Sequence, residues 1–168
     1  MSETFSEGPS MAAECEVLAA PFGGIELWAI DGHLSRIVLS PDLVQCPQSR
    51  TSCSSMLHDL RRQLERYIEN PRQAFSWEAP PLGTPFQHRV WRALREIPPG
   101  EVRTYGELAR SLGSGSRAVA GACRANPWPL LIPCHRIIGA SGAGGYCGHT
   151  QGPYLAIKQW LLAHERRR

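Results

Sequence analysis

The sequence predicts an α/β segment followed by a helical segment that carries a helix-turn-helix, and three observations lead to that reading. Asp31-Gly32 separates two β-favouring runs, two capping boxes stand before apolar residues at helical spacing, and a proline-rich break at residues 79–83 coincides with a reversal of charge. Taking the elements in order, residues 1–13 are rich in Ser, Glu and Gly and predict a flexible N-terminus. Ile25 to Leu39 reads as an antiparallel hairpin, because Asp-Gly is a strong two-residue turn signal between strands. Residues 41–55 lack periodicity and read as a loop. Met56, Leu60, Leu64 and Ile68 then recur at helical spacing, which predicts an amphipathic helix over 55–69 packed on that sheet and ended by Asn70-Pro71.

Beyond the break the pattern is helical. Thr84, Pro85 and Gln87 supply an N-cap, a first-turn proline and a capping-box partner ahead of Val90, Leu94 and Ile97, and Pro98-Pro99-Gly100 stops the helix. Thr104 with Glu107 opens a second, short helix that Gly113 closes. After the turn Ser114-Gly115-Ser116, residues 117–125 are small and helix-compatible, completing the helix-turn-helix outline. A last helix starts at Pro153 and runs through His164, with Tyr154, Ile157 and Leu161 inward. The expected organisation is a flexible segment 1–13, an α/β domain 14–78, a linker 79–83 and a second domain 84–168.

Composition narrows the function classes. At 42% hydrophobic and 20% charged residues the chain reads as an ordinary globular protein. No apolar run approaches the ~20 residues that span a bilayer, and the N-terminus shows no basic-then-apolar signal pattern, so no membrane partner and an intracellular location are expected. Cytoplasm is the expectation, with nucleoid association in a bacterium or the nucleus in a eukaryote. The six cysteines form no CxxC pair and show no zinc-finger spacing; in a reducing compartment they are free thiols. Residues 1–82 carry 6 Arg against 11 acidic residues, a net of −5, while residues 83–168 carry 12 basic against 4 acidic residues, a net of +8. The second half is therefore the one suited to a polyanion.

In that basic half lies Ile132-Pro133-Cys134-His135-Arg136, between Asn126-Pro127-Trp128-Pro129 and Gly142-Ala143-Gly144-Gly145-Tyr146. A cysteine beside a histidine is a candidate nucleophile, because the thiolate reacts rather than the thiol. The second helix of the helix-turn-helix presents Ala118, Ala120, Gly121 and Ala122, side chains too small for much reading of base edges but suited to close backbone approach. Arg117 at its start can reach into the stack where a base has left. Flipping a base costs a few kcal/mol, least for a damaged one, so such a site selects lesions without a sequence code.

Val102-Arg103-Thr104-Tyr105-Gly106-Glu107-Leu108-Ala109, Arg117-Ala118-Val119-Ala120-Gly121, Asn126-Pro127, Leu131 through Gly139, and Trp160-Leu161-Leu162-Ala163-His164-Glu165 together resemble the O6-alkylguanine-DNA alkyltransferases, the methylated-DNA-protein-cysteine methyltransferases. The likeness is dense over 83–168 and looser over 14–78. It implies a small N-terminal α/β domain of ribonuclease-H-like form and a helical C-terminal domain. It implies that Cys134 takes the alkyl group from O6 of a flipped guanine, and from O4-alkylthymine, once per molecule. His135 would take the thiol proton through a water, Glu165 would orient the imidazole, and Tyr105 would donate to the departing purine. Tyr146 would line the pocket, Asn126 would fix the turn before the cysteine, and Arg117 would fill the gap in the duplex, with Ala118, Gly121 and Ala122 on the docking helix. The implied partner is double-stranded DNA containing O6-alkylguanine, bound by a monomer, and the transfer needs no cofactor.

The chain departs from the family pattern in three places. The turn Gly113–Ser116 is about two residues short. Cys147-Gly148-His149-Thr150-Gln151-Gly152-Pro153 replaces Ser-Gly-Gly with a longer loop, although a backbone N–H at Cys147 can still serve O6. Of the zinc ligands found in some members only Cys15 has a counterpart, so no metal is expected. Other readings stand beside this one: binding of alkylated DNA without removal of the lesion, transcriptional regulation through the helix-turn-helix, and a cysteine protease. Self-alkylation separates the first reading from all of these, and Trp128, between prolines near the cysteine, is a further candidate for the pocket wall.

Overall fold

The computed structural model describes residues 13–42 and 54–167. Residues 1–12 of the expected flexible segment 1–13, and most of the 41–55 loop, lie outside those residues. Three antiparallel strands form a meander in the order β1 (Ala13–Ala20), β2 (Gly23–Ile30) and β3 (His33–Ser40). Asp31 and Gly32 take φ of 49° and 75°, the left-handed pair that a two-residue hairpin turn requires. The expected hairpin is thus present, and β1 adds a strand that the sequence reading did not assign; Ala13 belongs to it. At the first turn Gly23 has φ 133°, and a Cβ there would stand 2.2 Å from the Ser40 carbonyl oxygen, so only glycine lets β3 close over β2.

Helix α1 (Ser55–Glu69) lies on β1 and β2, burying Leu57, Leu60, Leu64 and Tyr67. Its bounds match the apolar spacing, and Asn70 caps it. Helices α2 (Pro85–Arg95), α3 (Tyr105–Ser111) and α4 (Ser116–Arg124) follow, then α5 (Pro153–Glu165). Both capping boxes form. Thr84 accepts from Gln87 N at 3.2 Å and Thr104 from Glu107 N at 3.1 Å, and both glutamine and glutamate side chains return a bond to the N-cap backbone. Gly113 ends the first helix of the helix-turn-helix with φ 62°. Ile97, expected inside α2, stands beyond its end and is still buried.

A two-residue parallel pair, β4 (Arg103–Thr104) with β5 (Ile137–Ile138), has no counterpart in the sequence reading. Period-two patterning needs more than two residues to show. This pair fixes the start of α3 next to the cysteine segment.

The α/β part and the helical part share one core. Ile37 N donates to Pro127 O at 2.8 Å, and Trp128, fully buried, donates from Nε1 to Leu34 O at 3.3 Å. The Trp128 ring packs edge-on against Trp77 and Trp91, at 5.0 and 5.8 Å between centroids. Trp128 is therefore a core residue and does not line the pocket described below. Phe22 at the β1–β2 turn meets Trp160 of α5 at 5.2 Å.

Candidate active site

Asn126 stands two residues beyond α4 and organises the turn that leads to Cys134. Its Nδ2 donates to Ile132 O at 2.9 Å and to Cys134 Sγ at 3.4 Å, and its Oδ1 accepts from Trp128 N at 2.9 Å. One amide thus closes the turn and also touches the sulfur. Cys134 opens a single 3-10 turn, Cys134–Arg136, and is 7% exposed. Across from it, β4 delivers Tyr105. Gly144, with φ 70°, lets its loop pass close by, since a Cβ there would come 3.0 Å from Gly139 N and 3.3 Å from the Tyr105 ring. Tyr146 and His149 exchange two backbone bonds, of 2.7 and 2.8 Å, and fold the loop back on itself. Between these walls lies a pocket of about 280 Å³ bounded by Tyr105, Ala120, Cys123, Cys134, Tyr146 and Cys147.

Behind the cysteine is a buried carboxylate with many donors. Glu165, at the end of α5, accepts at Oε1 from His135 Nε2, Arg136 Nη2 and Tyr67 Oη, each at 2.8 Å. Its Oε2 accepts from Arg136 Nε at 3.0 Å and Gly100 N at 3.3 Å. Burial would raise its proton affinity, but the bonds from His135 and Arg136 outweigh that and hold the carboxyl far below its ordinary value. Glu165 is ionised and can only accept. His135 Nε2 therefore carries the proton of this bond, and Nδ1 holds the lone pair. That Nδ1 is buried and meets no hydrogen-bond partner among the described residues. Burial depresses the His135 pKa, with Glu165 opposing, so the imidazole is neutral and able to take a proton.

The thiol is raised by its own burial, and the Asn126 bond and the Lys158 charge act in the opposite direction. Lys158, on α5, is fully buried, donates to Ile137 O at 2.5 Å and Gly145 O at 3.0 Å, and has no carboxylate partner among the described residues. Burial lowers its pKa to about 8, and the thiols of Cys134, Cys123 and Cys147 pull it back up. The phenol of Tyr105 is pushed by burial to about 12 and that of Tyr146 well above its ordinary value, so both remain O–H donors at neutral pH.

Residues 85–167 match the family described as 6-O-methylguanine DNA methyltransferase, DNA binding domain. The chain is 42% identical over 124 residues to the methylated-DNA–protein-cysteine methyltransferase of Methanosarcina acetivorans, covering 73% of this chain and 77% of the relative. It is 36% identical over 154 residues to that of Methanosarcina barkeri, covering 89% and 95%. The chain belongs to the methylated-DNA–protein-cysteine methyltransferases. The solved structure of the Mycobacterium tuberculosis O6-methylguanine methyltransferase superposes with a TM-score of 0.69 at 32% identity, covering 92% of this chain and 93% of that one. The same protein solved in complex with DNA gives 0.70 at 35% identity, covering 89% and 91%. These likenesses extend through the α/β part, where the sequence resemblance is loose.

In this methyltransferase the structure brings Cys134, Tyr105, Tyr146 and Cys147 to one pocket, with His135 and Glu165 directly behind. Arg117, Ala118 and Gly121 lie exposed on α4. Ala122 does not share that face: it is 3% exposed and packs inward with Val119, because position 122 follows 119 by three residues on the same side of the helix. Cys147 is an exposed residue with φ 49°, and desolvation of its side chain by the surrounding rim pushes the thiol to about 12. The sequence reading missed Arg136, Lys158 and Tyr67. Lys158 carried a signal, since a charged residue on the Tyr154–Ile157–Leu161 stripe has no solvated side to occupy. Tyr67 carried none.

Proposed function

We propose that this methyltransferase repairs duplex DNA by moving the alkyl group of an O6-alkylguanine, and of O4-alkylthymine, onto Cys134, once per molecule. The basic helical part docks on the duplex through α4, where Ala118 and Gly121 permit close backbone approach and Arg117 occupies the space left by a base turned out of the stack. The base enters the pocket floored by Cys134. His135 takes the thiol proton at Nδ1 through a water, the sulfur–carbon bond forms as the carbon–O6 bond breaks, and the guanine leaves with negative charge on O6. A hydrogen bond from Tyr105, and the backbone N–H of Cys147, offset that charge as it develops. The net exchange is one alkyl group for one proton. Because a thioether does not revert to a thiol in water, each molecule acts once; the protein is read as a monomer.

A single observation supports this reading best. A cysteine at the floor of a pocket is backed by a neutral histidine whose far nitrogen is tied to a buried, ionised carboxylate. Intact-protein and peptide mass spectrometry after incubation with excess duplex containing O6-methylguanine tests it. The expected result is one methyl group per molecule on the Cys134 peptide and none in Cys134→Ser. Tight lesion binding without any mass gain would place the protein among binders that leave the lesion in place.

A further inference from the structure

Glu165 receives a donor from the other half of the chain. Tyr67 lies on α1, is 2% exposed, and sends its hydroxyl to Glu165 Oε1 at 2.8 Å across 98 positions of sequence. Its ring is held from two sides, by Phe75 and by His164, each at 5.5 Å between centroids. Its carbonyl also meets His164 Nε2 at 2.9 Å. The hydroxyl therefore has little freedom to turn away. Burial and the Glu165 charge keep the phenol protonated at every working pH, so toward the ionised Glu165 it donates.

A carboxylate oxygen has two lone pairs, and Oε1 receives three donors at one distance. The three donors compete. Charge that Oε1 gives to the phenol and to Arg136 is not available to hold a proton on His135. We propose that Tyr67 is a positioning residue that sets the proton affinity of His135 through Glu165, by sharing the oxygen that the imidazole is bonded to. The α/β part then contributes to the chemistry as well as to support. The inference rests on the reading of Cys134 and His135 given above. Among the described residues, the other charged or titratable groups facing this trio include Arg136 toward all three, Lys158 toward His135, Tyr146 toward Tyr67 and Glu165, and His164 against the Tyr67 ring.

The direction follows from the competition. Without the phenol, Oε1 pulls harder on the His135 Nε2–H, the imidazole becomes more basic, and it is protonated and useless as a base up to a higher pH. Single-turnover transfer from O6-methylguanine duplex, followed against pH, reads this out. The acid limb of the Tyr67→Phe profile is expected to move up by about half a unit or more, with the rate above that limb within about twofold of wild type. Site-specific 3-fluorotyrosine at position 67 keeps the shape and strengthens the donor, so its acid limb is expected to move down. Profiles that coincide with wild type, or a loss equal at every pH, would overturn the inference. If Tyr67→Phe does not fold, as judged by circular dichroism, the fluorinated variant alone decides, and an unmoved limb overturns the inference. Failure of the underlying reading looks different, because wild-type protein itself would gain no methyl group at Cys134.

Discussion

At the scale of single residues, the unusual group is Lys158. A buried lysine normally has a carboxylate partner or loses its charge, and this one has two carbonyls and three thiols around it. Its protonated form favours a thiolate at Cys134, and its own pKa of about 8 marks the upper end of that effect. Lys158→Met should slow alkylation of Cys134 by a small reagent such as iodoacetamide about tenfold below pH 8, the effect of roughly one pKa unit on the thiol. The two rates should converge above pH 8, where the wild-type lysine has also lost its charge. Stopped-flow alkylation with mass assignment to the Cys134 peptide checks this, and a ratio independent of pH would remove the electrostatic role. Asn126 illustrates the opposite case, in which one neutral amide holds the turn by three bonds and needs no charge.

At the scale of elements, the site depends on where α3 begins. Helix α3 has only seven residues, too short to persist by itself, so its first turn is held by the Thr104–Glu107 box and by the β4–β5 pair. Glu107 lies below its ordinary pKa because it accepts from the Thr104 backbone and hydroxyl. Thr104→Ala removes the side-chain half of the box and should cost about 1 kcal/mol in urea unfolding. The start of α3 carries Tyr105, so the same variant should slow methyl transfer while leaving iodoacetamide reactivity at Cys134 near wild type. Equal slowing of both reactions would mean that the whole pocket, rather than the Tyr105 wall, had moved. The capping boxes and α1 were legible because their signals are local: a Thr three positions before an acid or amide, and apolar residues every third or fourth position. Strand β1 and the β4–β5 pair were not, since a strand with mixed burial resembles a loop and a two-residue strand has no period.

At the scale of the molecule, the two parts of the chain meet at Glu165, which α1, the Cys134–Arg136 turn and the Gly100 corner all address. Its depressed carboxyl contributes stability that is fully present above the ordinary value of 4.5. That contribution is lost as pH falls through the much lower folded value, since the unfolded chain binds the proton first. Glu165→Gln should lower stability at neutral pH and also flatten its fall between pH 4.5 and 2, measured by equilibrium unfolding at fixed ionic strength. A wild-type slope retained in the variant would assign the acid sensitivity to other carboxylates.

The sequence by itself determined the secondary structure of the strongly periodic segments, the division of charge between the halves, and the pocket residues close to the Pro-Cys-His-Arg segment. The first two rest on spacing and composition along the chain, readable without knowing what packs against what, and the pocket residues rest on the resemblance of the surrounding motifs to a known family. Only the tertiary structure decided that Ala122 turns inward while Ala118 and Gly121 remain exposed, and that Trp128 belongs to the core. It also decided that Lys158 is sealed among thiols and that Tyr67 reaches the carboxylate behind His135. Those contacts join residues tens of positions apart. Their energies come from burial and from shared donors, quantities that exist only once the two parts of the chain have closed on each other.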